Sequence, residues 1–139
     1  IGLIFVYLGG SIGFNSWLIK GFMDTIPTSL DEAAKVDGAT DFQIFYKIIA
    51  PLSRPIIVVL FVITFIGIYS DFILAAIFLK DKNLWTVAVG INTVFVDDFN
   101  ADWGVIAASS VIAATPIATL FIFFQKQITG GLTAGSVKG

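Results

Sequence analysis

The chain has 139 residues, 57% of them apolar and only 13% charged, against roughly 25% charged in soluble domains. So little polar side chain cannot cover a water-facing surface of this size, and lipid must do part of the covering. With no Cys, no His and a net charge of −2, thiolate and imidazole metal sites, Ser-His-Asp and Cys nucleophiles, and the basic footprint required by nucleic acid are excluded.

In chain order, residues 1–19 carry no charge and predict a helix of about 28 Å, close to the hydrocarbon thickness. The segment starts without Met, a basic n-region or a small-residue cleavage site, which argues against a signal peptide. The expectation is the C-terminal part of a longer protein. Residues 24–54 hold Asp24, Asp31, Glu32, Lys35, Asp37, Asp41, Lys47 and Arg54. At roughly 2.5–3.5 kcal/mol per charge at a bilayer centre, this stretch stays in water.

Punctuation divides that loop into two short helices. Ser29-Leu30-Asp31-Glu32 fits a capping box and predicts a helix over about Leu30 to Asp37, ended by Gly38 in the left-handed conformation. Thr40-Asp41-Phe42-Gln43 offers a second capping box, opening a helix that runs to about Ala50 before Pro51. On this second helix Phe42, Phe45, Tyr46 and Ile49 share one face, which is expected to be buried on the chain's own helices or on another protein. Leu30, Ala33 and Ala34 make a smaller, shallower face on the first.

Residues 55–79 contain one charge, Asp71, in 25 residues and predict a second spanning rod, about 37 Å long, with Asp71 about 24 Å from its start. Residues 80–103 form a second connection, with an apolar piece from Thr86 to Val96 that is too short to cross. Residues 104–124 are uncharged and predict a third span, bent at Pro116. Gln125 to Gly139 read as a polar, Gly-rich tail. Six of the eight Lys and Arg residues lie in the first loop, its flank and the tail, which places that side in the cytoplasm. The fold class is an all-α, multi-pass membrane protein. Gly9 and Gly13 offer one helix face for close packing.

Glu32 to Gly38 (EAAKVDG), nine residues, then Ile48, one residue, Ala50 and Pro51 resemble the EAA signature of ATP-binding-cassette importer membrane subunits. That signature is EAA, three residues, G, nine residues, I, one residue, LP. Ala50 stands where Leu is common. The order of EAA loop, PLSRP (Pro51 to Pro55), long helix, TVAVG (Thr86 to Gly90), final helix and GLTAGSVKG resembles the C-terminal half of MalG-type permeases. These are membrane subunits of maltose/maltodextrin and related sugar importers.

The resemblance implies a polytopic helical bundle of the type I importer (MetI-like) fold in the inner membrane. It further implies a homologous second permease subunit, two ATP-binding subunits that hold the nucleotide, and an extracytoplasmic sugar-binding protein. Its EAA loop is the element seated in a cleft of the ATPase subunit, which here falls on Leu30, Asp31, Glu32, Ala33, Ala34, Asp37, Gly38, Phe42 and Phe45. Glu32 reads both as a capping carboxylate and as an ion-pair partner for that subunit, and the two are compatible.

Asp71 has two readings: with Tyr69 and Ser70 it lines the sugar pathway, or it sits where the helix approaches water. In the outer loop Val96, Asp97, Asp98, Phe99 and Asn100 are candidates for contact with the docked binding protein, while Trp85 and Trp103 read as interfacial anchors. No cofactor and no metal site are expected. The tail string GSVKG lacks P-loop spacing. An embedded enzyme would rest on Asp71 with no second acid or His beside it. A fragment of a secondary transporter would need proton or ion relays beyond one carboxylate.

Overall fold

A computed structural model describes residues 1–96 and 103–133, and among them there is no strand. The helix α1 (Gly2–Met23) runs 22 residues. Ile4, Phe5, Leu8, Ile12, Phe14 and Trp17 are all exposed along it. A helix apolar on every side has no preferred core face, and such a helix belongs in lipid. The last helix, α8 (Trp103–Thr133), continues through Pro116. Gly2–Met23 and Trp103–Ile128 are long and apolar enough to cross a membrane.

Between them lie α2 (Thr28–Val36), α3 (Asp41–Ile44), a π-helical stretch (Phe45–Ile49), α4 (Ala50–Leu52), α5 (Arg54–Tyr69), α6 (Ile73–Phe78), a 3-10 turn (Lys82–Leu84) and α7 (Val87–Val96). By contact the chain divides into two compact units. One comprises Ile1–Gly9 and Val62–Gln125; the other comprises Gly10–Phe61 and the residues from Lys126. In the first, Val62, Ala75, Val89 and Ile106 are buried; in the second, Ile44, Ser53 and Leu60 are.

Three expectations change. The segment 55–79 is not one rod: α5 stops at Tyr69, and α6 begins at Ile73. The cause is Asp71, whose carboxylate takes the Ala75 amide (3.1 Å) and so competes with the backbone for that donor. The helix after Thr40 does not end before Pro51 but passes through it. Proline supplies no N–H and its ring crowds the carbonyl four residues back. The wider π turn, closed by the Ala50 amide on the Phe45 carbonyl, re-aims those carbonyls. The third change is at α8, whose backbone carries helix into the expected tail as far as Thr133. At Gly9 and Gly13 an added Cβ would meet nothing within 4 Å among the described residues, which leaves that small face open.

Trp85 is held inside its unit. Its Nε1–H donates to the Leu79 carbonyl (3.1 Å) at the end of α6, and the Lys82 ammonium lies 5.7 Å from its ring centroid. One of the carbonyls left open by the helix end is satisfied in this way.

Candidate functional site

The loop between α1 and α5 is built from local bonds. Pro27, at φ −62° and ψ 129°, caps α2 with no side-chain bond, and the Leu30 amide donates to its carbonyl (3.2 Å). The capping box expected at Ser29 therefore does not form. Proline's fixed φ starts the helix earlier and leaves Ser29 inside the first turn.

The other end of α2 follows the sequence reading. Gly38 has φ +79°, its amide donates to Lys35 O (3.0 Å), and the Ala39 amide donates to Ala34 O (3.0 Å). Those two bonds are the 5→2 and 6→1 pair of a Schellman motif, in which the left-handed residue is nearly always Gly. Two residues on, Thr40 forms its expected capping box: the Gln43 amide donates to Thr40 Oγ1 (3.3 Å), and the Thr40 amide donates to Gln43 Oε1 (3.0 Å). An exposed Lys35–Asp41 ion pair (3.3 Å) spans the turn. Helix stop and helix start thus share four residues, which makes the joint between α2 and α3 stiff.

Thr40→Ala is expected to cost about 1 kcal/mol locally. Amide hydrogen exchange should then rise roughly fivefold at Gln43, at 1.4 kcal/mol per tenfold. Unchanged exchange there would mean that the box does not hold the joint.

Exposure sorts the nine loop residues singled out from the sequence. Leu30, Glu32, Ala33, Asp37, Gly38, Phe42 and Phe45 are exposed, while Asp31 and Ala34 are half-buried. Asp31 Oδ1 is shut away from solvent without a hydrogen-bond partner. The aromatic face is outside: Phe42 is 76%, Phe45 52% and Tyr46 68% exposed, and the residue that turns inward is Ile44 at 5%. Burial of that face on the chain's own helices is therefore corrected. Ile44, with half-buried Ile48 and Ile49, anchors the helix, and the aromatics project. Phe42 and Tyr46 stack with centroids 6.4 Å apart, so they present one flat apolar plate.

Where this helix meets α5 the axis bends by 62°. Ser53 stands at the bend, 1% exposed, with its Oγ unpaired.

Tyr69 and Asp71 do not share a site. Tyr69 and Ser70 line a cleft of about 230 Å³ with Val87, Ala88, Ile91, Ala113, Ala114 and Ile117, and Tyr69 stacks on Phe65 at 5.6 Å. Asp71 instead accepts the Tyr7 hydroxyl (2.7 Å) and the Ala75 amide (3.1 Å), both on Oδ2. Tyr7 was not singled out from the sequence; the signal that was there is the single phenol in the charge-free stretch of residues 1–19. Val96 closes α7, and Asp97, Asp98, Phe99 and Asn100 lie outside the described residues. Among the described residues no cluster of acids could hold a metal.

Residues 1–133 match the sequence model of the family described as binding-protein-dependent transport system inner membrane component. The maltodextrin transport system permease protein MalD of Streptococcus pneumoniae is 44% identical over 137 residues, which is 99% of this chain and 49% of that protein. Maltose/maltodextrin transport system permease proteins MalG are similar over 138 residues: 46% identical in Vibrio vulnificus and 44% in Escherichia coli K12, covering 99% of this chain and 46% of each. The chain spans about half the length of these relatives.

Proposed function

The chain belongs to the family of binding-protein-dependent transport system inner membrane components, a transport family and not an enzyme family, and from that premise we propose that it is the coupling half of a sugar-importer permease. The substrate class is maltose and maltodextrin, by similarity to the named relatives. The observation that carries the coupling role is the loop itself. Two short helices joined by a stiff four-residue turn stand between the membrane-long helix α1 and the apolar, 16-residue α5, and they present Phe42, Phe45 and Tyr46 outward. A plate of three exposed aromatics on a rigid stem suits insertion into a partner's apolar cleft.

In this reading the plate, with Leu30, Glu32, Ala33 and Asp37, sits in an ATP-binding subunit on the cytoplasmic side. Nucleotide-driven closure of that subunit with its twin moves the loop as a rigid piece, and the 62° elbow at Ser53 passes the motion to α5. A homologous second permease completes the pathway, which Tyr69 and Ser70 line from this side. The sugar-binding protein docks at the outer connection, where Val96, Asp97, Asp98, Phe99 and Asn100 are the candidates for contact. ATP is held by the partner subunits.

Vesicles carrying the full-length permease with its second permease and ATPase subunits test this directly. Maltodextrin uptake should require both ATP and the binding protein. Uptake driven by an ion gradient without ATP would replace the proposal with a secondary transporter.

A further inference from the structure

We propose that Asp71 is a positioning residue: it straps the outer end of α1 to the break between α5 and α6, so that the two move as one body during transport. The role rests on the importer reading but not on any contact with sugar. A single oxygen, Oδ2, accepts both the Tyr7 hydroxyl at 2.7 Å and the Ala75 amide at 3.1 Å. The first bond joins residues 64 apart in sequence. The second fixes the first turn of α6 after the interruption.

A separate contact places the same two segments together. A Cβ added at Gly2 would lie 3.3 Å from Phe78 Cε1. Tyr7 therefore faces Asp71 and Gly2 faces Phe78, so the start of α1 and the 71–78 segment run in opposite directions, tied at both ends of the overlap.

The physical need is clear at this place. A helix broken at membrane depth leaves backbone groups open, and such a break persists only where side chains or a cavity satisfy them. An intramembrane carboxylate likewise needs donors, and here a phenol from another helix supplies one. Removing the carboxylate would cut the polar tie between α6 and α1, keep only the packing of Phe78 on Gly2, and leave the Tyr7 hydroxyl without its acceptor. Carboxylate charge is not what the geometry uses. Oδ1 accepts nothing from the described residues, so an amide with its oxygen in the Oδ2 place and its nitrogen in the Oδ1 place keeps both bonds.

The test uses the reconstituted full-length complex with Tyr7→Phe, Asp71→Leu, Asp71→Asn and the Tyr7→Phe/Asp71→Leu pair. Sugar transported per ATP hydrolysed should fall about tenfold in Asp71→Leu and several-fold in Tyr7→Phe. The double variant should be no worse than Asp71→Leu, because both remove one linkage, and Asp71→Asn should stay near wild type. Additive losses, a wild-type ratio in Asp71→Leu, or an Asn variant as poor as Leu would overturn the strap. So would an effect confined to KM for sugar, which would mark Asp71 as a ligand group.

Spin labels at the exposed positions Ile4 and Ile77 give a readout independent of transport. Their separation should be narrowly distributed with or without nucleotide and broad in Asp71→Leu. A broad distribution in the wild type refutes the strap even if uptake is ATP-driven. A narrow one with no ATP-driven uptake refutes the importer reading instead. If Asp71→Leu fails to fold, Tyr7→Phe, which keeps the ring, carries both readouts.

Discussion

Gly38→Pro is expected to lower ATP-driven uptake by at least about tenfold, the equivalent of roughly 1.4 kcal/mol, while the subunits still co-purify. Two effects add at this position. Gly38 holds φ at +79°, which proline, locked near −65°, cannot adopt. Its amide also donates to Lys35 O at 3.0 Å, and proline has no amide to donate. The turn must therefore open, and with it the fixed angle between α2 and α3. The aromatic plate on the following helix is untouched, so binding survives and only its rigid link to α2 is lost. Gly38→Ala separates the effects: it keeps the amide and pays roughly 1–2 kcal/mol for the left-handed backbone, so its uptake should fall between wild type and Gly38→Pro. Wild-type uptake in Gly38→Pro would remove the turn from the mechanism.

The second large effect is expected at Phe42 and Phe45. Replacing both with Ser should weaken capture of the ATPase subunits by roughly 30-fold or more, since buried aromatic anchors at interfaces are typically worth at least about 2 kcal/mol. Because Phe42 is 76% and Phe45 52% exposed, the chain itself loses little, and its helix content should not change. Ile44→Ser is the contrasting variant. That side chain is 5% exposed, so its replacement should loosen the loop by about 2–4 kcal/mol and show in hydrogen exchange before any partner is added. Equal ATPase binding by wild type and the double Ser variant, read by co-purification and by titration, would show that the plate serves something else.

The loop was the most legible part of the chain because its bonds are short-range. A Schellman motif links residues three and five apart, and a capping box links residues three apart. The patterns around Gly38 and around Thr40 and Gln43 therefore state their own geometry. The same logic misread Ser29. Its pattern is as good as that of Thr40, but Pro27, two positions earlier, already meets the backbone requirement of a cap, and local rules gave no ranking between the two.

Composition and periodicity also carried the all-helical membrane class, since lipid demands apolar side chains along every spanning helix, and the spaced EAA string pointed to the family. What the tertiary structure alone decided is where helices are interrupted and which faces stay uncovered. The stop at Tyr69 involves the Asp71 carboxylate, whose donor Tyr7 lies 64 residues before it. Continuation through Pro51 depends on a π turn whose closing bond reaches back to Phe45. Exposure of Phe42 in place of Ile44 depends on which side of one short helix meets the rest of its unit. The competing local states differ by only a few kcal/mol; at the α5–α6 break a bond to a residue 64 positions away takes part in the choice, whereas the π turn before Pro51 is closed within five residues.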